Sequence, residues 1–271
     1  MWKGNKETKT HKNKYPDTWQ ASGFGEYVVK LVILIKKSKQ KLSKQYRLYE
    51  QLLSKPRLGR YLMATQGKKT QAVRLYKYNL ELSQILFGAI SMLEIALRNG
   101  IDQHYQKQLQ QLDWLKDSVQ PNSLFYHSSL KNHFGRFDQA DKVKASLNTL
   151  KKNYTHDKLV ASLSFGFWRY MFSGIQFNVF GNTLLRIFPN RPKGINQKIV
   201  YQKLTEINNL RNRIAHHEPI CFDVSNKPSI YYSQKHYSDI IDILEWLGYS
   251  PNDVLGSFQS PQKSWEKIQK I

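Results

Sequence analysis

The sequence predicts an all-α fold, and three observations carry that reading. Apolar residues recur at three- and four-residue intervals over long stretches, strand-like alternation is scarce, and no internal repeat of fixed period is present. At 271 residues, 40% hydrophobic and 13% aromatic, the chain can bury a sizeable core as a bundle of helices.

Taken in order, residues 1–45 form a basic N-terminal extension. MWKGNKETKTHKNKYPDTW has no apolar periodicity and reads as a flexible tail, followed by VVKLVILIKKSKQKLSK with its dense lysines. Helical periodicity begins at Tyr46. The clearest helix spans 70–105, where Leu75, Leu82, Leu86, Ala89, Leu93, Ala96 and Gly100 share a stripe. Weaker helices fall at about 138–152, 157–172 and 236–248. A further one covers 196–217, with Val200, Leu204, Ile207, Leu210 and Ile214 as its apolar face. CFDV and SIYYS flank Asn226-Lys227-Pro228 and predict a small hairpin. The helical domain is expected over 46–250, with 251–271 as a C-terminal tail.

Charge narrows the partners. The formal net charge is +22, from 42 Lys+Arg against 20 Asp+Glu, and residues 1–60 hold half of that surplus. Such an excess points to a polyanion, with nucleic acid first and an anionic membrane surface second. VVKLVILI is too short to span a bilayer and follows a polar leader unlike a signal peptide, so no membrane partner is expected and the location is read as cytoplasmic. Cys221 is the only cysteine, which excludes a disulfide framework and a cysteine-based zinc site. No cofactor or metal motif appears: QGKKT at 66–70 lacks the upstream glycine of a phosphate loop, there is no G-x-S-x-G, and the histidines have no H-E-x-x-H spacing. A Cys221–histidine pairing stays open.

Two clusters carry chemistry. In LRNRIAHHEPI (210–220), Asn212 and His216 lie about 40° apart around a helix, while Arg211 sits at the edge of the core stripe and needs an anion. Pro219 biases Glu218 away from helix, so His216 falls in the last turn, where the helix dipole favours an imidazolium. The plain alternative is an Arg and a His that merely complement that dipole. In LEIALRNGIDQHY (93–105), Glu94 and Arg98 form an i, i+4 pair and Arg98-Asn99 repeats the Arg-Asn dipeptide. Here the plain reading is a structural ion pair.

Together with HDKLVASLSFGFWRYMF and RIFPN, these stretches resemble the Abi-like family of bacterial abortive-infection proteins, within the HEPN ribonuclease superfamily. The similarity covers about residues 46–222. It implies a HEPN-like helical bundle, usually dimeric, and a metal-independent endoribonuclease acting as a toxin in phage defence. It also implies that a small RNA can hold such a toxin in check. The superfamily motif maps onto Arg211, Asn212 and His216, and the earlier helix supplies Glu94, Arg98 and Asn99. His217 fits the looser spacing too; His216 is favoured because it shares a face with Asn212. Metal-free cleavage uses the RNA 2′-OH as nucleophile, with a histidine moving the proton and an arginine meeting the phosphorane's charge. A non-catalytic RNA-binding protein and a membrane-active toxin are the other readings.

Overall fold

The computed structural model describes residues 22–271 and is all-α. The basic tail expected over 1–19 lies outside the described residues. The chain divides into two compact units, Met1–Leu58 and Gly59–Ile271. In the first, α1 (Ser22–Leu53) runs without a break through residues 45 and 46, so helix begins well before Tyr46. Its Val29, Leu31, Val32, Ile33 and Leu34 are exposed. A short α2 (Lys55–Ala64) follows.

The larger unit is organised on α3 (Lys69–Leu109), which at ~1.5 Å per residue is roughly 60 Å long. Of its predicted stripe, Leu75, Leu82, Leu86, Ala89 and Leu93 are buried, while Ala96 and Gly100 are only partly so and the core line continues instead through Leu97 and Ile101. Each buried leucine or isoleucine stabilises the fold by roughly 1.5–3 kcal/mol. The helix ends at Gln110, whose left-handed φ of 54° lets its N–H return to the Gln106 carbonyl. Among the described residues it is the one helix long and apolar enough to cross a membrane, yet 44% of its most apolar window is buried inside the fold. That apolarity serves packing against helices along much of its length.

After α4 (Trp114–Asp117) and α5 (Asp138–Leu150), the helix expected over 157–172 is two helices, α6 (His156–Ser162) and α7 (Phe165–Tyr170). Leu163 and Ser164 are extended between them, and the Trp168 indole N–H donates to the Leu163 carbonyl at 3.2 Å. The kink turns Phe165, Phe167 and Trp168 into the core. α8 (Gly174–Val179) leads to α9 (Gln197–Ala215), started by Asn196, whose side chain accepts the Ile199 N–H. Val200, Leu204, Ile207 and Leu210 of α9 are buried as predicted.

The predicted hairpin is not a hairpin. One antiparallel bridge, Phe222 with Pro228, is all that forms. Pro228 has no N–H to continue a ladder, and the Asp223 carboxylate takes the Ser225 and Lys227 N–H groups into a tight turn. The tyrosines read as strand instead open α10 (Tyr231–Trp246), five residues earlier than expected. Residues 251–271, expected as a tail, form α11 (Pro251–Leu255) and α12 (Gln262–Gln269); α12 packs on α3, and its Trp265 and Ile268 are buried.

One polar knot fixes the far end of α3. Asp102 accepts from the Trp114 indole and from the His156 ring at 2.7 Å each, and from Gln106 at 2.9 Å. Burial pulls His156 down, but the Asp102 hydrogen bond and the charges of Asp102, Asp113 and Asp157 leave it above the ordinary histidine value. A raised folded-state value gives stability that is full below about pH 6.5 and is lost as pH rises through that value. Thermal midpoints taken from about pH 6 to about pH 9 should therefore fall in the wild-type chain and fall less in His156→Gln. Parallel profiles would show that the pair does not titrate in this range.

Candidate functional site

The break between α6 and α7 has a direct chemical consequence. Phe165 is the first residue of α7, so its backbone N–H has no partner within the helix. It is offered instead to the carboxylate of Glu94 on α3. Burial raises the Glu94 pKa above the ordinary value, while Arg211 of α9, Arg98 of α3 and the Phe165 N–H favour its charged form. The anion that Arg211 needs at the edge of the core is thus the acid of the other cluster.

The balance of charge at this crossing is positive. Glu94, Arg98 and Arg211 are all half-buried, and two guanidiniums face one carboxylate. Among the described residues neither arginine closes a contact ion pair on Glu94. The Arg98 Nε is buried with no hydrogen-bond partner, and Arg211 makes one long hydrogen bond, Nη1 to Asn212 Oδ1 at 3.5 Å. Half-buried guanidiniums with free donors favour an oxyanion. Asn99 is exposed on α3 and joins none of these contacts.

The end of α9 departs from expectation in an informative way. The helix stops at Ala215, ahead of the turn set by Pro219, and His216 is its C-cap. His217 follows with φ 56°, in the left-handed region. The His217 N–H bonds the Ile214 carbonyl at 2.9 Å and the Glu218 N–H bonds the Arg213 carbonyl at 2.8 Å, which is the Schellman arrangement usually built on glycine. Arg213 clamps the turn, donating to the Pro219 carbonyl at 2.7 Å, pairing with Glu218 at 3.5 Å and lying 4.7 Å over the Tyr232 ring. Both histidines are exposed. His217 lines a groove of about 350 Å³ between α3 and this helix end, whereas His216 does not. The shared face of Asn212 and His216 therefore ends at the cap, and the turn redirects the next histidine.

Other candidates resolve plainly. Cys221 is fully buried and its thiol is pushed up to about 12 by that burial, so it offers no thiolate at neutral pH. His104 bonds Thr183 at 2.8 Å, and its pKa is lowered by burial and by Arg186. Arg169 on α7 escaped notice in the sequence because its partners are distant: it donates to Thr205 at 2.9 Å and to the Tyr201 hydroxyl at 3.3 Å on α9. The groove residues on α3, Tyr76, Asn79 and Ser83, also gave no signal, being indistinguishable in spacing from core. Among the described residues no three His, Cys, Asp or Glu gather as a metal-holding group.

The left-handed backbone at His217 makes a separable prediction. A side chain there costs roughly 1–2 kcal/mol that glycine avoids, partly offset by glycine's greater entropy loss. His217→Gly should raise the denaturant midpoint by about 0.5–1 kcal/mol equivalent, and His217→Ala should not. Equal effects of the two would place the strain elsewhere.

Comparison with curated proteins gave no match, and comparison with solved structures gave none. The family profile described as Abi-like protein matches residues 41–221, about two-thirds of the chain. That span begins within α1, takes in Glu94, Arg98 and the whole of α9 with its two histidines, and ends at buried Cys221. The chain belongs to the Abi-like family, the abortive-infection proteins of phage defence.

Proposed function

We propose that the chain is a metal-independent, HEPN-type endoribonuclease that acts as an abortive-infection toxin. The observation that carries this is the half-buried crossing of α3, α7 and α9 beside a histidine-bearing helix end, where Arg98 and Arg211 share one carboxylate, Arg98 Nε has no partner and Arg211 has one long bond to Asn212. A phosphodiester supplies the missing anion. Its 2′-OH is the nucleophile, His216 or His217 moves the proton, and Arg211 meets the charge that develops on the phosphorane. Arg98 adds a second cation, and Asn212 holds the Arg211 guanidinium. Glu94 is a positioning residue: it keeps both arginines at the crossing without neutralising either.

One motif offers adjacent histidines on a single cap, and the reaction needs both a base and an acid. A homodimer with two α9 ends facing each other supplies both from opposite sides. The surplus of +22 fits RNA as substrate, and a small RNA bound to the same basic surface is a means of control.

Purified protein should cut RNA in the presence of EDTA, leave 2′,3′-cyclic phosphate ends, and spare DNA of the same sequence. Arg211→Ala should reduce the rate by roughly 10²–10³-fold while leaving RNA bound. His216→Ala should lose more activity than His217→Ala; the reverse order assigns the chemistry to the groove-facing histidine. Cleavage that requires Mg²⁺, or RNA that binds and is never cut, would overturn the nuclease and leave an RNA-binding protein.

A further inference from the structure

The groove beside the arginine crossing has walls suited to a different part of the same ligand. One side is α3, with Tyr76, Asn79, Ser83 and Phe87; the other is the end of α9, with Ile214 and His217. Its volume of about 350 Å³ falls in the range of roughly 300–1,000 Å³ usual for small-molecule sites. Its walls are braced from behind. The Tyr76 ring meets Tyr61 edge-on at 5.4 Å, and Tyr61 packs on Phe222 at 5.1 Å. Phe87, by contrast, stands 42% exposed at the lip.

The polar groups in this mostly apolar groove point to an occupant with a polar edge. Asn79 is only 5% exposed, and its side-chain carbonyl accepts the Ile220 N–H at 2.8 Å. Its amide nitrogen makes no hydrogen bond among the described residues, so a donor is left on the groove wall. The Ser83 hydroxyl donates to the Asn79 backbone carbonyl at 2.8 Å, which leaves its oxygen free to accept. Along α3, Phe87 at the lip lies seven residues from Glu94 and eleven from Arg98, roughly 10 and 16 Å at ~1.5 Å per residue and on nearly the same face. The groove and the two arginines are therefore neighbours on one surface.

We propose that this groove takes an unstacked nucleobase of single-stranded RNA, a few nucleotides from the phosphate held by Arg98 and Arg211. The proposal rests on the ribonuclease reading and extends it to how a cutting position is chosen. A flat aromatic ring with hydrogen-bonding edges, tethered to a phosphate, matches aromatic walls, the free Asn79 donor and a cationic site on the same face. The homodimer proposed above brings two α9 ends face to face, so a second copy seated in the groove itself is the competing outcome of the test.

The test separates the groove from the chemistry. The probe is a short fluorescein-labelled RNA with 2′-O-methyl sugars, which cannot be cut, carrying 4-thiouridine for photocrosslinking. The full-length chain is compared with Phe87→Ala, which removes an exposed ring, and Ser83→Leu, which fills the groove. Wild type should crosslink within 76–87 or 214–218. Phe87→Ala should bind roughly ten-fold more weakly, and both variants should lose that crosslink. With cleavable RNA, both should still cut but lose preference for the base at the cut site. Unchanged affinity with crosslinks elsewhere overturns the base site and leaves the ribonuclease standing. Absence of RNA binding and cleavage in wild type overturns both. Variants that alter only the monomer–dimer balance in RNA-free sedimentation assign the groove to a second copy and overturn the proposal. Should Ser83→Leu fail to fold, Phe87→Ala still decides, because its ring lies at the surface.

Discussion

The Glu94 carboxylate sits where α3, α7 and α9 meet, and the electrostatics of the site depend on its being shared by Arg98 and Arg211. A half-buried carboxylate is costly on its own, which is why its pKa rises. Arg98, Arg211 and the Phe165 N–H offset that cost from three separate helices. If α6 ran on into α7, the Phe165 N–H would be bonded within the helix and lost to Glu94. The kink at Leu163 and Ser164 thus links the packing of Phe165 and Trp168 to the electrostatics of the crossing. Neither arginine collapses onto the carboxylate, so the arrangement holds positive charge in place without cancelling it.

The end of α9 is under the opposite kind of constraint, one of backbone shape. Regular helix would carry His216 and His217 onto faces 100° apart. The left-handed turn at His217 breaks that relation, and Arg213 fixes the result through Pro219, Glu218 and Tyr232. A non-glycine residue in this position stores strain, and strain that the surroundings maintain tends to sit at working positions. Pro219 does not stop the helix; its carbonyl accepts from Arg213, and Ile220 is anchored next by Asn79.

The sequence made the fold class and the central elements legible because period and burial coincide there. Leu75 to Leu93 on α3 and Val200 to Leu210 on α9 are enclosed as their spacing requires. The Arg-Asn clusters were readable as motifs, and Arg211's need for an anion was readable from its place on the stripe. That the anion is Glu94 was not, because helix periodicity says nothing about which helices cross. The α6–α7 break was hidden because LSFGFW keeps its apolar content through the kink. The hairpin was misread because aromatic, β-branched runs serve equally as the first turn of an amphipathic helix, and only Pro228 argued against a ladder. The groove was invisible: Asn79 and Ser83 lie on α3 at core spacing, and their role appears only when the α9 turn closes over them.

The distribution of acids explains why the charge surplus stays available to a partner. Lys203 is bound by Asp239 and Asp242, and Lys235 by Glu206 and Asp239, which stitches α9 to α10. Glu81 takes Lys267 at 2.8 Å and ties α12 to α3. Asp102 and Asp113 flank His156, and Glu218 serves Arg213. Partly exposed pairs of this kind contribute modestly to stability, about 0–1 kcal/mol each, but they fix which helix faces meet. The acids that the fold employs are thereby committed to seams between helices and to the α9 turn. With 20 acids against 42 bases, most lysines and arginines have no carboxylate to meet. A polyanion that met that surface would find, at the α3–α9 crossing, two guanidiniums sharing a single carboxylate.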